Sequence, residues 1–163
     1  MLADYLRHYL DGVSVKILDM SAGNRAIWFN KNHPDTVYVD LRPSVNPDIV
    51  CDTRRLPKEV GENFNLIVFD PPHVNGGKNS NIARDYGHHT TSEIRSIIQE
   101  SSKEAYRVSE KDALMVFKWN DHDQKLNKIL ALISEWWEPL FGHKTSTRTK
   151  HSSTTYWVML RRK

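Results

Sequence analysis

Residues 65–73 read Asn-Leu-Ile-Val-Phe-Asp-Pro-Pro-His, and this stretch decides the fold. Leu66–Phe69 is a short continuous apolar run, the pattern of a strand buried on both faces. The strand must stop at Asp70-Pro71-Pro72-His73, because neither proline can donate a backbone hydrogen bond to a sheet. In an open α/β sheet, ligands bind at the carboxyl ends of the strands. The stretch therefore predicts an acid, a rigid turn and a planar ring at a ligand-binding edge.

Strand and helix patterns alternate on both sides of this stretch. The predicted strands are Val13–Leu18, Thr36–Val39, Ile49–Val50, Leu66–Phe69 and Ala113–Phe117, with two more in the last 25 or so residues around a Lys-His-Ser-Ser turn. The predicted helices are Ala3–Leu10, Asn24–Lys31, a turn around Pro57–Val60, Glu93–Val108 after Ser92 as N-cap, and one from Asp123 to about Trp136-Trp137. This order predicts an α/β fold: a mostly parallel sheet with helices on both faces and a C-terminal antiparallel strand pair.

Length and composition indicate one ordinary globular domain. The chain has 163 residues, 39% hydrophobic and 26% charged, with a formal net charge of +3. We predict a single domain over 1–163, with no separate target-recognition domain. No apolar run reaches the about 18 residues of a membrane span, and the N-terminal stretch lacks the apolar core of a signal peptide. The one cysteine, Cys51, fits a reducing compartment, so we expect a cytoplasmic protein with no membrane partner.

The motif in residues 70–73 resembles that of class I S-adenosylmethionine-dependent methyltransferases, specifically the amino-methyltransferases with a (D/N/S)-P-P-(Y/F/W/H) motif. The resemblance implies a Rossmann-like fold and S-adenosyl-L-methionine as cofactor. It also implies methyl transfer to an exocyclic amine of a nucleic-acid base, with adenine N6 favoured over cytosine N4 and guanine N2. The terminal strand pair matches the arrangement of that family, so the resemblance extends over nearly the whole chain.

The loop after the first predicted strand, Asp19-Met20-Ser21-Ala22-Gly23, contains the small residues that let backbone approach a ligand. In the family, a pattern like D-x-x-x-G-x-G wraps the methionine end of the cofactor. Asp19 and Gly23 match this pattern, but Arg25 replaces the following glycine, which implies a tighter, altered or lost pocket. A nicotinamide-dinucleotide site would need the full G-x-G-x-x-G pattern to seat a pyrophosphate. An ordinary turn remains the alternative, since short glycine motifs are weak.

Acids also end the second and third predicted strands. Asp40 follows the first loop by about 20 residues, a spacing that suits a grip on ribose hydroxyls, while a strand-end acid that caps local backbone amides is the alternative. The resemblance assigns Asp52-Thr53 to the exocyclic amine of the cofactor's adenine, while an Asx-turn or a salt bridge to Arg54 or Arg55 is the alternative. The predicted cofactor-binding residues are Asp19, Met20, Ser21, Ala22, Gly23, Asp40, Asp52, Thr53 and Asp70.

The resemblance gives the catalytic roles to Asp70, Pro71, Pro72 and His73. An exocyclic base amine is conjugated and a poor nucleophile, so the enzyme must hold its lone pair toward the methyl group. The Asp70 side chain and the Pro71 carbonyl would accept its hydrogens, and His73 would stack on the target base. Lys118, at the end of the fifth predicted strand, is a candidate phosphate contact, and Trp119 a candidate stacking residue.

The long polar loop over residues 74–91 is of a length that is often functional. Lys78, Arg84 and Tyr86, together with His88 and His89, are predicted to arm a lid over a flipped base and its phosphate. Adjacent histidines chelate poorly, so no metal site is predicted. A disordered loop is the alternative.

A nucleic-acid substrate, DNA or RNA, is the predicted partner, because residues 142–163 carry six lysines and arginines and no acid. A protein partner that supplies specificity remains open. Three other functions stay open as well: a protein glutamine N-methyltransferase, an RNA ribose 2′-O-methyltransferase and a non-catalytic cofactor-binding subunit. Cytosine C5 methylation needs a cysteine nucleophile, and Cys51 lies in the cofactor half.

Overall fold

The computed structural model describes residues 15–74, 89–146 and 153–163. The strands are β1 (Ile17–Asp19), β2 (Thr36–Asp40), β3 (Ile49–Val50), β4 (Phe64–Phe69), β5 (Ser109–Asn120), β6 (Trp137–Ser146) and β7 (Thr154–Arg162). The helices are α1 (Thr91–Val108) and α2 (Leu126–Ile133), and two 3-10 turns cover Pro43–Val45 and Lys58–Val60. The predicted helix Ala3–Leu10 and the first residues of the predicted strand Val13–Leu18 lie outside these ranges.

All seven strands form one sheet in the order β3-β2-β1-β4-β5-β7-β6. The first five are parallel, and β7 inserts antiparallel between β5 and β6. The Rossmann-like fold class predicted from the sequence is therefore confirmed. Because β1 and β4 are central neighbours, the loops that follow them meet at one edge of the sheet.

One face of the sheet carries both described helices. Ile94 and Ile98 of α1 and Ile129 and Ile133 of α2 are fully buried in one core cluster with alternate residues of the central strands. Trp137 ties the helix layer to β6, because its indole Nε1 donates to the Ser102 carbonyl at 2.9 Å. Side chains alternate along a strand, so every second residue belongs to this core and its neighbours face the opposite side.

On the opposite face, turns rather than a helix follow β1, so the predicted helix Asn24–Lys31 is wrong. Gly23 and Arg25 have φ values of +48° and +53°, which a right-handed helix cannot accommodate. The turns instead pack Trp28 edge-on against Tyr38 of β2, with ring centres 5.3 Å apart. They cover β1 and β2, whereas the same face of β5, β7 and β6 includes side chains open to solvent, Phe141 among them at 69% exposure.

The fifth strand is longer than the predicted Ala113–Phe117. It begins at Ser109, which pairs with Phe64, and the register then shifts before Leu114 pairs with Leu66. Asp112, at φ +67°, lies within this irregularity and marks a bulge. Pairing with β4 thus recruits a polar stretch that has no strand pattern of its own.

Both helix starts also differ from the predicted ones. The N-cap of α1 is Thr90 and not Ser92: the Thr90 side chain and Glu93 form a reciprocal capping box. Helix α2 begins at Leu126 after Lys125, and not at an Asp123 cap, and Trp137 belongs to β6. Neither helix in the described ranges is long and apolar enough to cross a membrane.

Candidate active site

A long-range hydrogen bond joins the loop after β1 to the turn after β4. The Asp70 backbone N–H donates to Ser21 Oγ at 2.7 Å. Just below it, the Met20 N–H donates to the Val68 carbonyl at 2.9 Å, which continues the β1–β4 ladder. The predicted cofactor loop and the predicted catalytic motif are therefore held side by side.

The carboxylate of Asp70 is bound by a lysine from the adjacent strand. Lys118 Nζ donates to Asp70 Oδ2 at 2.6 Å, and the two side chains are 28% and 24% exposed. Phe69 pairs with Phe117, so the next residues of β4 and β5 fall side by side at the strand ends. Lys118 was predicted as a phosphate contact; the structure places it on the acid that was predicted to accept the substrate amine.

His73 is half-buried over this edge. Its Nδ1 lies 3.3 Å from the Pro71 carbonyl oxygen, so the second predicted acceptor of the substrate amine already has a partner. The His73 ring meets Trp119 edge-on, with centres 6.1 Å apart. Pro72 is partly buried and keeps the turn rigid.

The burial of Trp119 contradicts its predicted role as a substrate contact. Trp119 is fully buried, stacks parallel to Phe117 and donates from Nε1 to the Gln124 carbonyl at 2.9 Å. Adjacent strand residues point to opposite faces, so Lys118 and Trp119 cannot both face a substrate. Trp119 instead supports His73 from the core.

Trp157 is the aromatic residue that sequence reasoning missed. It lies directly opposite Lys118 on β7, and Lys118 Nζ is 5.5 Å from its ring centre. The available signal was the aromatic pair Tyr156-Trp157 within the apolar run of a terminal strand. The partner strand and its register were needed to place that ring beside Lys118.

Asp19 lies beneath the first loop rather than on its surface. It is 1% exposed, and its two oxygens accept hydrogen bonds from the Ser21 N–H at 3.0 Å and from Trp28 Nε1 at 2.7 Å. Burial raises the pKa of Asp19 to about 6, against the effect of these two hydrogen bonds. Direct contact with a cofactor stays a prediction; what Asp19 does here is hold the loop.

The rest of the first loop is also bound internally. Met20 and Ala22 are buried, the Ala22 N–H donates to the Val39 carbonyl at 3.0 Å, and the Gly23 N–H donates to Asp40 Oδ2 at 2.9 Å. The amide hydrogens of residues 20–23 are thus all engaged within the protein. The loop can offer a ligand its outer surface but no free amide.

Asp40, the predicted ribose-binding acid, is bound by its own neighbours. Its Oδ1 accepts from the Arg42 backbone at 2.9 Å and from Arg42 Nε at 3.1 Å. Burial alone would raise the pKa of Asp40, but the hydrogen bonds from Arg42 and Gly23 outweigh it and hold that pKa below its usual value. An ionised carboxylate accepts from ribose hydroxyls, so the residue type fits, provided that the Arg42 side chain moves.

Arg25, the departure from the family pattern, faces away from this edge. Its guanidinium stacks on the Tyr38 ring at 3.8 Å, and its Nη1 donates to the Lys31 carbonyl at 2.7 Å. It also lies 3.6 Å from Asp48 Oδ1. Arg25 therefore braces the turns that replace a helix and does not itself fill the predicted cofactor pocket.

Asp52 shows both alternatives that the sequence left open. The Arg54 N–H donates to Asp52 Oδ1 at 3.0 Å, an Asx-turn, and Arg54 Nη2 reaches Asp52 Oδ2 at 2.5 Å. The side-chain hydrogen bonds from Arg54 hold the pKa of Asp52 below its usual value. Thr53 turns to α1, where its hydroxyl lies 2.8 Å from Ser101 Oγ. The adenine role of both residues stays a prediction.

The neighbouring Cys51 offers no thiolate. Burial, and then the charge of Asp52, raise the pKa of the Cys51 thiol to about 11. Lys78, Arg84 and Tyr86 of the predicted lid lie outside the described residues. Within the described ranges, no group of three His, Cys, Asp or Glu side chains could hold a metal ion.

No protein-family model and no curated protein matches this sequence. Solved structures do match. N-methyltransferase NodS from Bradyrhizobium japonicum WM9, in complex with S-adenosyl-L-homocysteine, aligns with a TM-score of 0.60 at 13% identity, over 98% of this chain and 84% of NodS. A TehB-like SAM-dependent methyltransferase from Corynebacterium glutamicum gives 0.62 at 15% identity, over 98% and 86%. A SAM-dependent methyltransferase from Methanosarcina mazei gives 0.60 at 9% identity, over 90% and 91%. The chain thus has the fold of class I S-adenosylmethionine-dependent methyltransferases.

Proposed function

We propose that this protein is an S-adenosyl-L-methionine-dependent methyltransferase that acts on an exocyclic amine of a nucleic-acid base, adenine N6 first. One observation carries the proposal: Asp70 at the end of β4 is held by Ser21 of the first loop, so the acid motif and the cofactor loop share one edge. That edge is where open α/β sheets bind ligands. The shared fold and the basic C-terminal segment support the proposal.

The cofactor, when bound, supplies a methyl group on a positively charged sulfur. The chain's own residues bind and orient the amine. Asp70 accepts an amino hydrogen, which requires Lys118 to release Oδ2, and the Trp157 ring offers the released ammonium a second contact. His73 presents its ring to the target base. No strong base is needed, since the amine loses its proton late.

The experiment that tests this function is transfer of a labelled methyl group from S-adenosyl-L-methionine to separate pools of DNA, RNA and protein. We expect label in one nucleic-acid pool and at least about a 100-fold loss in Asp70→Ala, since misplacing the acceptor alone costs that much. Asp35→Ala, an exposed acid at the opposite end of β2, is the matched control and keeps full activity.

Other outcomes choose among the alternatives. Label only in protein would assign the glutamine side-chain reaction. Binding of S-adenosyl-L-homocysteine with no label in any pool would indicate a missing protein partner or a non-catalytic cofactor-binding subunit, and absence of that binding would refute the enzyme assignment. Unchanged transfer by Asp70→Ala would remove Asp70 from the site.

The Asp70–Lys118 pair gives a second candidate, a ribose 2′-O-methyltransferase, because a hydroxyl must lose a proton and a lysine beside an acid is a candidate base. That reaction type also uses a further acid on a late strand. Glu138 is the acid that β6 and β7 contain, and it is bound to Arg161 at 2.6 Å, near Leu114 and well away from Lys118. We therefore rank this candidate second.

Lys118→Met separates the two reactions. If the acceptor is an amine, transfer persists within about tenfold, because the lysine only occupies Oδ2 before the substrate arrives. A loss as large as that of Asp70→Ala would assign the ribose hydroxyl. Lys128→Met, on exposed helix surface, is the control for a lysine substitution.

A further inference from the structure

A row of side chains leads from Asp70 across the open face of the sheet. Lys118 on β5 lies opposite Trp157 on β7, which in turn lies opposite His143 on β6. Lys118 links Asp70 to this row, because its ammonium donates to Asp70 and also lies over the Trp157 ring. The row is therefore continuous with the candidate active site.

Beside this row the three strands form a cleft of about 250 Å³. Its walls are the side chains of Val116, Phe141, His143, Trp157 and Met159. Phe141 is 69% exposed, so the cleft opens to solvent. Sites for drug-sized ligands measure about 300–1,000 Å³, so this cleft suits a single planar ring rather than a whole cofactor.

Gly142 shapes the floor of the cleft. A Cβ at this position would lie 2.7 Å from the Trp157 carbonyl oxygen, so the close approach of β6 to β7 requires glycine. A second cleft of about 360 Å³ lies beside the same glycine and is lined by His143 and Lys144 among others. Lys144 pairs with Tyr156, so its side chain lies on the helix face of the sheet, and this second cleft is on the face opposite the aromatic cleft.

The charges around the cleft favour an anionic occupant. Lys118 borders it beside Trp157, and its ammonium becomes available when a substrate amine takes Asp70, whereas the one acid in the sequences of β6 and β7, Glu138, is neutralised by Arg161. An apolar protein segment would gain nothing from this cation. A nucleotide supplies both a ring for the aromatic walls and a phosphate for Lys118.

We propose that this cleft binds the base of an unpaired nucleotide that flanks the target base in single-stranded nucleic acid. The proposal rests on the function proposed above and adds a specificity site to it. Asp70 and Trp157 are two strands apart, about 10 Å at the usual strand spacing, a distance that a neighbouring nucleotide can span. An open aromatic cleft takes a base whose face is free, so a paired duplex does not fit it.

The test uses homo-oligomers of adenine that are one, two, three and six nucleotides long, in ribo and deoxy series. In the wild type we expect kcat/KM for methyl transfer to rise about tenfold between one and three nucleotides, as stacking of one base provides. In Trp157→Leu and in Phe141→Ser this gain falls below about twofold, while Trp157→Phe keeps most of it. Leu140→Ala, an exposed neighbour on β6 that does not line the cleft, keeps the full gain.

The outcomes separate this inference from the function on which it rests. Transfer with the same gain in Trp157→Leu, Phe141→Ser and wild type would overturn the cleft and leave the proposed function standing. If no oligomer accepts a methyl group, the adenine assignment fails, and fluorescence anisotropy of the labelled six-nucleotide oligomers tests the cleft alone. Tighter binding by wild type than by both variants then supports it, and equal binding overturns it. The series with the larger gain identifies RNA or DNA.

Discussion

The acids at the ligand-binding edge form two groups that differ in the origin of their partners. In the cofactor half, Asp40 and Asp52 are each bound by the arginine two residues further along the chain. In the catalytic half, Asp70 is bound by Lys118, which is 48 residues away in sequence, and by Ser21, which is 49 residues away. In the cofactor half each acid is thus held by a local clamp, an arginine two residues away, to which the Gly23 N–H adds one bond on Asp40, whereas the geometry of Asp70 depends on three assembled strands.

This difference has a chemical consequence. A ligand that binds Asp40 or Asp52 must displace the arginine two residues away. That arginine stays close in the chain and continues to compete with the ligand for the carboxylate. A substrate that uses Asp70 displaces a lysine that has another contact in Trp157. We therefore expect substitutions of the arginines in the first group to change cofactor affinity alone, substitutions of Asp40 to release the Gly23 N–H as well, and substitutions in the second group to change both folding and transfer.

Asp19 differs from the other acids of the cofactor half, because its side-chain partner is the uncharged indole of Trp28 and not an arginine. Its folded-state pKa of about 6 lies above the ordinary 3.8, so ionisation is harder in the folded protein than in the unfolded chain. Its contribution to stability is complete below the ordinary pKa and is lost as pH rises to about 6. We expect this loss to reach about 3 kcal/mol at most.

The measurement is urea unfolding of wild type and Asp19→Asn between pH 4 and 7. Asp40, Asp52 and Glu104 have lowered pKa values and act with the opposite sign, so the difference between the two proteins isolates Asp19. Wild type should lose stability relative to Asp19→Asn as pH rises. Parallel pH profiles would contradict the raised pKa.

Asp40→Ala tests the local clamp directly. We expect the dissociation constant for S-adenosyl-L-homocysteine, measured by calorimetry, to rise by the equivalent of about 1–3 kcal/mol, the range for a hydrogen bond to a charged group. Because Arg42 competes for the same oxygens, Arg42→Ala should bind at least as tightly as wild type. An unaltered dissociation constant in Asp40→Ala would remove this acid from the cofactor site.

Ser21→Ala breaks the long-range link. The Asp70 N–H loses its acceptor in a half-buried position, which should lower the free energy of unfolding by about 1–2 kcal/mol. Transfer should fall as well, since the acid is no longer fixed against the first loop. Ser21→Thr keeps a hydroxyl and should restore both properties; equal behaviour of all three proteins would show that the link is incidental.

From the sequence it was possible to predict the contacts between residues close in the chain and the strands with a clear apolar run. The buried run Leu66–Phe69 and its two prolines placed the catalytic motif, and the acid at Asp52 already offered an Asx-turn to Arg54. The absence of a helix after β1 was not predictable from apolar spacing, because positive φ angles at Gly23 and Arg25 decide it.

The contacts between residues far apart in the chain could be predicted only from the pairing of the strands in the sheet. That Lys118 meets Asp70 follows from the register of β4 against β5, and that Trp157 replaces Trp119 as the open ring follows from alternation across β7. No local pattern encodes either pairing. Alternation along Lys118-Trp119 alone should have excluded one of the two predicted substrate contacts.

The smallest expected effect belongs to a local clamp on the protein surface. Thr90 and Glu93 form an exposed capping box at the start of α1, with the Thr90 N–H donating to Glu93 Oε2 at 2.7 Å. Thr90→Ala should lower the free energy of unfolding by about 0.5–1 kcal/mol, as loss of an N-cap does. Ser92→Ala, at the position that the sequence favoured as the cap, should cost less than about 0.5 kcal/mol. Thermal unfolding of both variants decides between them, and a larger cost at Ser92 would return the cap to the predicted residue. Neither change should alter methyl transfer, because this clamp, unlike the bond between Ser21 and Asp70, ends within its own turn of helix.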